Sequence, residues 1–478
     1  MRKILFVGAE AMPFAATGGL GDVMGSLPAA IRKADPETDV RVVMPLYSAI
    51  RDEWRAQMKT EAIFDVNLAW RRIYCGVKSL VRDGVTYYFI DNEYYFRREN
   101  LYGNYDDGER YAYFCMAVLE MIEHIGFYPD VLHAHDWQAA LSVIYLNALF
   151  RWRRGYGSIR TVFTIHNIEY QGQYDFAILG DIFALGNEFH NLVDCDGCIN
   201  LMKGAIACAD IVSTVSPRYA EEIRSPEYAH RLDGIINSNA YKLRGILNGI
   251  DYTYYDPEND PAIPVHFSAD EVEKKIGNKL SMQKELGLPE NPDIPMLAIV
   301  SRLAAHKGLD LVSEMADGLL ANNQVQFVVL GKGELGFEDF FRGLEHRFPD
   351  KMRAMICYDR ELSKKIYAAA DIFIMPSRSE PCGLSQMIAS RYGAIPVVRE
   401  TGGLYDSIKG YWECDGELRG NGFTFANYSS SELYDRVNAA VSLWNQPDKR
   451  KRFVRKIMLT DFSWAASAKQ YLEMYQSI

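Results

Sequence analysis

The chain has 478 residues, of which 48% are apolar, and its formal net charge is −11. This length predicts two or three domains with large cores, and the acidic balance excludes a nucleic-acid partner bound through a broad basic surface. An anionic ligand would need a local cluster of cations, whereas a neutral polymer would not be repelled.

The hydropathy of the chain predicts no membrane partner. The first apolar run, Ile4 to Ala9, is followed by Glu10 and is too short for a signal peptide or a spanning helix. No segment reaches about 18 apolar residues without a charge. We therefore expect a cytoplasmic protein.

The eight cysteines fit a reducing compartment, because most of them lie within apolar runs, as reduced core thiols do. Cys195-Asp196-Gly197-Cys198 has the C-x-x-C spacing of redox and zinc sites. No second pair and no histidine partner lies nearby, so the sequence does not favour either role.

Apolar runs alternate with amphipathic segments in the first half, which is typical of a parallel sheet covered by helices. Residues 48–85 predict an inserted hairpin, and Glu109–Ile125 predicts a long helix. The predicted strands begin at Ile4, Val40, Thr86, Val131, Arg160 and Asp210.

Two glycines mark the first strand-to-helix junction, in Thr17-Gly18-Gly19-Leu20. Paired glycines let the backbone approach a phosphate closely and expose amide groups. The pattern is not G-x-G-x-x-G, so the dinucleotide fingerprint is absent there. A tight turn that is required only for packing is the alternative.

A second polar junction is His133-Ala134-His135-Asp136, at the end of another strand. Two histidines and an aspartate invite a metal interpretation. The chain has only nine histidines, however, and no second cluster to complete a ligand set. We therefore predict no metal and no cofactor, and we favour a buried, hydrogen-bonded histidine with a structural or substrate-facing role.

The second half restarts the alternation after a proline-rich acidic stretch around Pro257 and Pro264, which predicts a crossing between domains. The pattern therefore predicts two doubly wound α/β domains. The predicted strands are Pro295–Val300, Val325–Leu330, Met352–Cys357, Ile372–Met375 and Ile395–Val398, and the closing helices are Ser431–Trp444, Lys449–Thr460 and Trp464–Ser477.

The stretch Pro376–Gln386 follows the strand Ile372–Met375 and turns at Pro381 and Gly383 before a helix. In open α/β sheets such turns lie at the carboxyl edge, where ligands bind. Glu380 can accept hydrogen bonds from hydroxyls there, and the helix N-terminus offers amides to anions. These features suit a ligand that is part sugar and part phosphate; a surface loop with an incidental glutamate is the alternative.

The tetrapeptide Thr17-Gly18-Gly19-Leu20 recurs as Thr401-Gly402-Gly403-Leu404, once in each half. Two phosphate-binding turns on two facing domains would imply a ligand held in a cleft between them.

Six motifs together resemble bacterial glycogen synthases, also called starch synthases, of glycosyltransferase family five. Each motif is weak alone, whereas six in this order, from Met1 to the C-terminus, are highly specific. The motifs are Thr17–Leu20, His133–Trp137, Leu247–Asp251, Ser301–Leu303 with Lys307-Gly308, Ser377-Arg378 with Glu380–Leu384, and Thr401–Leu404.

The resemblance implies a GT-B fold, in which two Rossmann-like, doubly wound domains face each other across a deep cleft. Residues 1–249 would form the N-terminal, acceptor-side starch synthase catalytic domain, and a C-terminal helix in 461–478 would pack back on it. Residues 250–460 would form the nucleotide-sugar-binding glycosyltransferase domain. The implied reaction transfers glucose from ADP-glucose to the nonreducing end of an α-1,4-glucan (glycogen or a maltooligosaccharide), with retention of configuration.

The departing ADP gains charge on its β-phosphate, so catalysis should be mostly electrostatic stabilisation of that phosphate. Arg302 and Lys307 are the cations suited to this task, with help from amides of the two glycine turns. Together they can replace a metal, and no acidic D-x-D motif at a strand end would hold one.

The resemblance also implies the roles of several further residues. Glu380 would bind glucose hydroxyls, and the His135 carbonyl would face the developing oxocarbenium ion. Tyr358 would stack on adenine. The other residues implied in substrate binding are Thr17, Gly18, Gly19, Asp106, Asn248, Cys382, Gly383, Leu384, Thr401, Gly402 and Gly403.

Three of the predicted site residues also have a plain structural interpretation. Arg302 could be a salt-bridge partner at a strand end, Asp106 could cap the following helix, and Tyr358 could be a core residue.

The chain departs from the family pattern at two positions. Ala16 stands where many members carry lysine, which removes one cation, and His306 stands where glutamine is common. Ile388, eight residues after Glu380, leaves the E-x7-E pattern of other GT-B enzymes incomplete, as is usual in family five.

Three other functions compete with this interpretation. A GT-B transferase could use UDP-glucose or another acceptor. A catalytically silent glucan-binding protein is supported only by Ala16. A nicotinamide-dependent oxidoreductase is disfavoured, because G-x-G-x-x-G is missing after the first strand.

Overall fold

Short buried strands alternate with amphipathic helices along the whole chain. The computed structural model describes residues 2–478. The chain divides into two units: the first comprises the chain up to Asn248 together with Trp464–Ile478, and the second comprises Gly249–Ser463.

A nine-stranded sheet forms the centre of the first unit, and a small three-stranded sheet lies beside it. The central strands are continuous apolar runs because both faces of a parallel sheet are covered. The strands are β1 (Lys3–Val7), β2 (Asp39–Pro45), β3 (Lys59–Leu68), β4 (Arg71–Arg82), β5 (Val85–Asp91), β6 (Val131–His135), β7 (Arg160–Ile165), β8 (Gln173–Tyr174), β9 (Asp194–Cys195), β10 (Cys198–Asn200), β11 (Ile211–Thr214) and β12 (Leu243–Gly245).

The large sheet has the order β12-β11-β7-β6-β1-β2-β5-β4-β3. All pairs from β12 to β5 are parallel. The predicted hairpin insertion is confirmed as β3 and β4, which extend one edge antiparallel. The small sheet, β8-β10-β9, was not predicted, because its strands have only two or three residues.

A six-stranded sheet forms the centre of the second unit, in the order β15-β14-β13-β16-β17-β20. All of its strand pairs are parallel, and β18 and β19 form a separate hairpin. The strands are β13 (Met296–Val300), β14 (Gln326–Leu330), β15 (Met352–Met355), β16 (Ile372–Met375), β17 (Ile395–Arg399), β18 (Trp412–Cys414), β19 (Glu417–Arg419) and β20 (Phe423–Phe425).

The helices cover the two large sheets, which confirms the predicted doubly wound α/β class in both units. Within residues 2–478, none of them is long and apolar enough to cross a bilayer. They are α1 (Gly19–Ala34), α2 (Asp52–Arg55), α3 (Glu93–Phe96), α4 (Asp107–His124), α5 (Asp136–Tyr145), α6 (His190–Val193), α7 (Leu201–Cys208), α8 (Pro217–Glu222), α9 (Asp233–Ser238), α10 (Lys275–Glu285), α11 (Leu309–Asn322), α12 (Leu335–Arg347), α13 (Arg360–Ala369), α14 (Ser385–Arg391), α15 (Gly402–Ser407), α16 (Ser430–Trp444), α17 (Pro447–Met458) and α18 (Trp464–Gln476).

Each large sheet has one topological switch point. In the first unit the chain adds β2 on one side of β1 and later β6 on the other; in the second, it adds β14 and later β16 on opposite sides of β13. Ligands of open α/β sheets bind outside the carboxyl ends of such strands. The sheet order therefore directs attention to the loops after β1, β6, β13 and β16.

The last helix, α18, is part of the first unit. Its Tyr475 hydroxyl lies 2.7 Å from His133 Nδ1 on β6, and Ser467 Oγ donates to the Leu247 carbonyl at 2.5 Å. These bonds join the end of the chain to the central strand and to the loop after β12.

Lys275 joins three helices of the second unit. The residue is 6% exposed, and its Nζ donates to the carbonyls of Tyr367 at 3.1 Å, Ala368 at 2.7 Å and Tyr392 at 2.8 Å. These carbonyls lie at the ends of α13 and α14, where backbone acceptors have no partner within the helix. One ammonium group with three N–H donors satisfies them all.

We predict that Lys275→Met lowers the free energy of unfolding by about 3 kcal/mol, because buried carbonyls lose their donors. Urea unfolding followed by circular dichroism measures this change. Lys274→Met is the matched control, since it removes the same charge from an exposed residue that pairs with Glu271, and we expect its effect to stay within about 0.5 kcal/mol. Equal losses in the two variants would contradict the assigned role.

Candidate active site

Lys307, Ser377 and Glu380 form a polar cluster at the carboxyl end of β16. Lys307 Nζ donates to Glu380 Oε2 at 2.7 Å, and Ser377 Oγ donates to the same oxygen at 3.0 Å. Ser377 is fully buried and Glu380 is 6% exposed. Glu380 Oε1 has no hydrogen bond to any residue in 2–478. The carboxylate therefore keeps one acceptor for a ligand while Lys307 balances its charge.

Two glycines explain why the loops can approach each other this closely. Gly308 has φ = +71°, and a Cβ there would overlap the carbonyl oxygen of Pro376. Gly402 has φ = +43°, and a Cβ there would overlap the carbonyl oxygen of Glu380. Only glycine adopts both the left-handed conformation and this contact without strain. Gly308 thus brings Lys307 to β16, and Gly402 brings the second glycine turn against Glu380.

Two amides of that turn donate to carbonyls of the same unit. The Thr401 amide donates to the Arg399 carbonyl at 3.0 Å, and the Gly403 amide donates to the Glu380 carbonyl at 3.1 Å. The protein itself therefore satisfies both amides in this structure. They hold the turn against the loop that carries Glu380.

The start of α14 is held by a buried amide side chain. Gln386 Nε2 donates to the carbonyls of Cys382 at 3.2 Å and Gly383 at 2.9 Å. Gly383 has φ = +70°, Cys382 is 6% exposed, and Leu384 is the N-cap residue of α14. The Glu380–Leu384 segment is therefore a rigid turn.

Arg302 and Tyr358 lie in the loops after β13 and β15, at the same edge of the sheet. Arg302 is exposed, and its guanidinium has no hydrogen bond or ion pair with any residue in 2–478. Tyr358 is 72% exposed, and its hydroxyl accepts a hydrogen bond from Arg360 Nε at 2.8 Å. The salt-bridge interpretation of Arg302 and the core interpretation of Tyr358 are therefore both wrong.

In the first unit, Glu10 organises the glycine turn after β1. It is 3% exposed. Its carboxylate accepts from the Thr17 amide at 2.6 Å, the Thr17 hydroxyl at 2.7 Å, the Gly18 amide at 3.3 Å and the Tyr102 hydroxyl at 2.6 Å. The amides of Thr17 and Gly18 thus bind the carboxylate of Glu10. The Gly19 amide, at the first position of α1, has no acceptor within residues 2–478.

His135 ends β6 and pairs with a second histidine. Its Nδ1 lies 2.9 Å from His166 Nε2, and its own Nε2 is buried without a partner in residues 2–478. Burial, reinforced by His133 and His166, lowers the pKa of His135 well below the usual range, and burial lowers the pKa of His166 to about 3. Both rings are therefore neutral at physiological pH, and each has one donor and one acceptor nitrogen.

Asp136 orients this pair. Its Oδ1 accepts from the His166 amide at 2.7 Å. Burial raises the pKa of Asp136 to about 7, although hydrogen bonds from the backbone of His166 and Asn167 oppose the shift. No group of three or more metal-ligating side chains occurs within residues 2–478.

The remaining two predicted residues of the first unit differ in character. Asn248 is 5% exposed, and its Oδ1 is buried with no partner in residues 2–478. Asp106 precedes α4 but its side chain makes no capping bond; instead it accepts from Arg98 Nη2 at 2.8 Å. The helix-cap interpretation of Asp106 is therefore wrong.

Sequence reasoning missed two residues of the first unit, Glu10 and His166. Each is a polar residue that follows a central strand, which is the signal that singled out His135 and Glu380. Glu10 directly follows the first apolar run but belongs to no motif, and His166 has no recognisable spacing.

Comparisons with known proteins agree with this geometry. Residues 3–238 match the family model described as the starch synthase catalytic domain, and residues 281–457 match glycosyl transferases group 1. The chain is 45% identical to the glycogen synthase of Geobacillus thermodenitrificans, covering 100% of this chain and 98% of that protein. It is 46% identical to the glycogen synthase of Streptococcus agalactiae, covering 100% of both.

Solved structures give the same result. The catalytic domain of starch synthase IV from Arabidopsis thaliana, bound to ADP and acarbose, matches with a TM-score of 0.90 at 33% identity, covering 100% of this chain and 99% of that one. A sucrose-phosphate synthase from Thermosynechococcus elongatus shares the fold alone, with a TM-score of 0.62 at 15% identity and the same coverage. The predicted GT-B fold class is thereby confirmed. Because the similarity extends over the whole chain, the protein belongs to the glycogen synthase (starch synthase) family, glycosyltransferase family five, and is a glucosyltransferase of glycogen synthesis.

Proposed function

We propose that the enzyme transfers glucose from ADP-glucose to the nonreducing end of an α-1,4-glucan, with retention of configuration. The observation that carries this proposal is the Lys307–Glu380–Ser377 cluster at the switch point of the second unit. It combines an acceptor for sugar hydroxyls with a cation for phosphate. ADP in the starch synthase IV structure favours an adenine nucleotide as the donor, and retention is the stereochemistry that the family resemblance implies.

The cations of the second unit stabilise the leaving group. Breaking the glycosidic C–O bond places negative charge on the β-phosphate of ADP, and fixed cations are worth most where charge develops in the transition state. The Arg302 guanidinium has no partner among the described residues 2–478 and is available to a ligand. Lys307 uses one of its three N–H donors on Glu380. Arg302 is therefore the principal phosphate ligand, and Lys307 links the phosphate to the sugar-binding carboxylate.

Glu380 holds the transferred sugar. Its Oε2 is committed to Lys307 and Ser377, so Oε1 accepts from glucose hydroxyls. Cys382, two residues further in the same rigid turn, lines the sugar pocket. The exposed ring of Tyr358 offers a stacking surface for adenine.

The first unit contributes polar groups. His135 Nε2 and Asn248 Oδ1 are buried polar atoms without partners in residues 2–478, and such atoms are costly unless a ligand satisfies them. Sugar hydroxyls both donate and accept, so they suit both atoms. Asp106 binds glucose through its carboxylate, and the His135 carbonyl faces the developing oxocarbenium ion. The Gly19 amide, which has no acceptor within residues 2–478, is available to phosphate.

We expect ADP release that requires both ADP-glucose and glycogen, measured with a coupled ADP assay. The reaction should lengthen existing glucan chains, and an amylase specific for α-1,4 linkages should remove the added glucose. Absence of ADP release with both substrates present would refute the transferase, and a higher kcat/KM with UDP-glucose would refute the donor assignment.

Replacing Arg302 by alanine tests the phosphate role. Arg302→Ala should lower kcat by roughly 100- to 1,000-fold, the cost of losing one donor to transition-state charge, with an unchanged Tm because the side chain has no partner within residues 2–478. The matched control is Arg347→Ala, which removes an exposed arginine paired with Asp317 on the same unit, and it should retain wild-type kcat. An Arg302→Ala enzyme with wild-type kcat would contradict the assignment.

The Lys307–Glu380 pair allows stability and activity to be separated. Lys307→Met leaves a buried carboxylate unpaired and should lower the free energy of unfolding by about 3 kcal/mol. The double variant Lys307→Met/Glu380→Gln removes both charges, so it should regain most of that stability but remain inactive. Urea unfolding and the ADP assay measure the two effects. Recovery of activity in the double variant would show that the pair only supports the fold.

A further inference from the structure

The C-x-x-C segment forms the tip of a tight hairpin between β9 and β10. Asp196 and Gly197 have φ values of +54° and +82°, as a two-residue type I′ turn requires. Cys195 and Cys198 are directly paired in the antiparallel register. Directly paired residues project their side chains from the same face of the sheet, so both thiols lie on one side of the hairpin.

This pairing suits a disulfide. Directly opposite residues in a hydrogen-bonded antiparallel pair have Cα atoms about 5.5 Å apart, within the range of about 4.4 to 6.8 Å that disulfides span. Cys198 Sγ already lies 3.1 Å from the Cys195 carbonyl oxygen. Closing the S–S bond therefore needs rotation of side chains and no change of register.

The two thiols are also accessible. Both residues are partly exposed, unlike Cys75, Cys115 and Cys382, which are buried. Desolvation is the largest cause that raises the pKa of the Cys195 thiol, and the nearby Asp196 and Cys198 raise it further. Lys203 and Arg231 oppose this shift. Arg231 also forms an ion pair with Asp196 at 2.7 Å, so a positive charge lies at the turn.

We propose that Cys195 and Cys198 form a reversible disulfide by exchange with low-molecular-weight disulfides. The thiolate of one cysteine attacks a sulfur of the reagent, forming a mixed disulfide and releasing one thiolate. The second cysteine then attacks the protein-bound sulfur and releases the other thiolate. Two protein thiols are oxidised to one S–S bond, one reagent disulfide is reduced to two thiols, and the released thiolates take up the two protons.

The bond would lie on the strand that anchors the segment after His166. Asn200, at the end of β10, donates from Nδ2 to Gln171 Oε1 at 2.6 Å, and Gln171 Nε2 donates to the Ile168 carbonyl at 2.9 Å. The hairpin is thus hydrogen-bonded to the loop that leads away from the His135–His166 pair. This inference is independent of the donor and acceptor proposed above.

The full-length protein is equilibrated in buffers of varied glutathione to glutathione disulfide ratio, quenched with acid and alkylated. Peptide mass spectrometry should show that the peptide carrying both cysteines loses two hydrogen atoms as the buffer becomes oxidising. It should become fully alkylatable again after dithiothreitol. Cys357→Ser, which removes an exposed thiol of the other unit, should leave this titration unchanged.

The Cys195→Ser variant should keep the hairpin but lacks one of the two thiols. Its Cys198 should therefore form a mixed disulfide with glutathione and react no further. The proposal is overturned if both wild-type cysteines stay alkylatable at the most oxidising ratio, if only glutathione adducts accumulate, or if Cys198 is linked to another cysteine. Thermal unfolding of each variant confirms that the folded protein was titrated.

Discussion

The largely buried ion pair between Lys307 and Glu380 is the interaction on which the second unit's site depends. Removing two charges from water is costly, and their attraction offsets that cost only when the remaining polar atoms are also satisfied. Ser377 supplies this third contact. The pair in turn requires that two loops approach β16 with no side chain between them, and Gly308 and Gly402 make this possible. A single electrostatic contact thus explains both the charged residues and the glycines.

The repeated Thr-Gly-Gly-Leu turn performs different tasks in the two units. After β1, the amides of Thr17 and Gly18 bind the carboxylate of Glu10. In the second unit, the amides of Thr401 and Gly403 bind backbone carbonyls. In both places the turn first satisfies a neighbouring acceptor of its own unit, because a buried acceptor without a donor is costly. Identical tetrapeptides therefore do not imply identical ligands.

The fold was largely predictable because its signals are local. Strands of a covered parallel sheet are continuous apolar runs, so β2, β13 and β16 could be located closely, and the hairpin of β3 and β4 was expected. The small sheet of β8, β9 and β10 was not expected, since strands of two or three residues are too short to show a hydropathy period. Likewise Glu10 and His166 have no motif of their own, and they join the site only because the sheet order places their strands beside a switch point.

The amino-acid sequence alone determined the fold class, the two-unit organisation and the strand-end residues from which the site is built. These features are set by the hydropathy period and the residue types of short segments, which can be read without knowing the distant contacts. Tertiary structure decided which groups are engaged: Glu380 with Lys307, Glu10 with the first glycine turn, and Cys195 opposite Cys198. It also decided which remain available, such as the Arg302 guanidinium within the described residues. Hydrogen bonds and ion pairs form between residues up to 342 positions apart, and their geometry exists only once the sheets have been assembled.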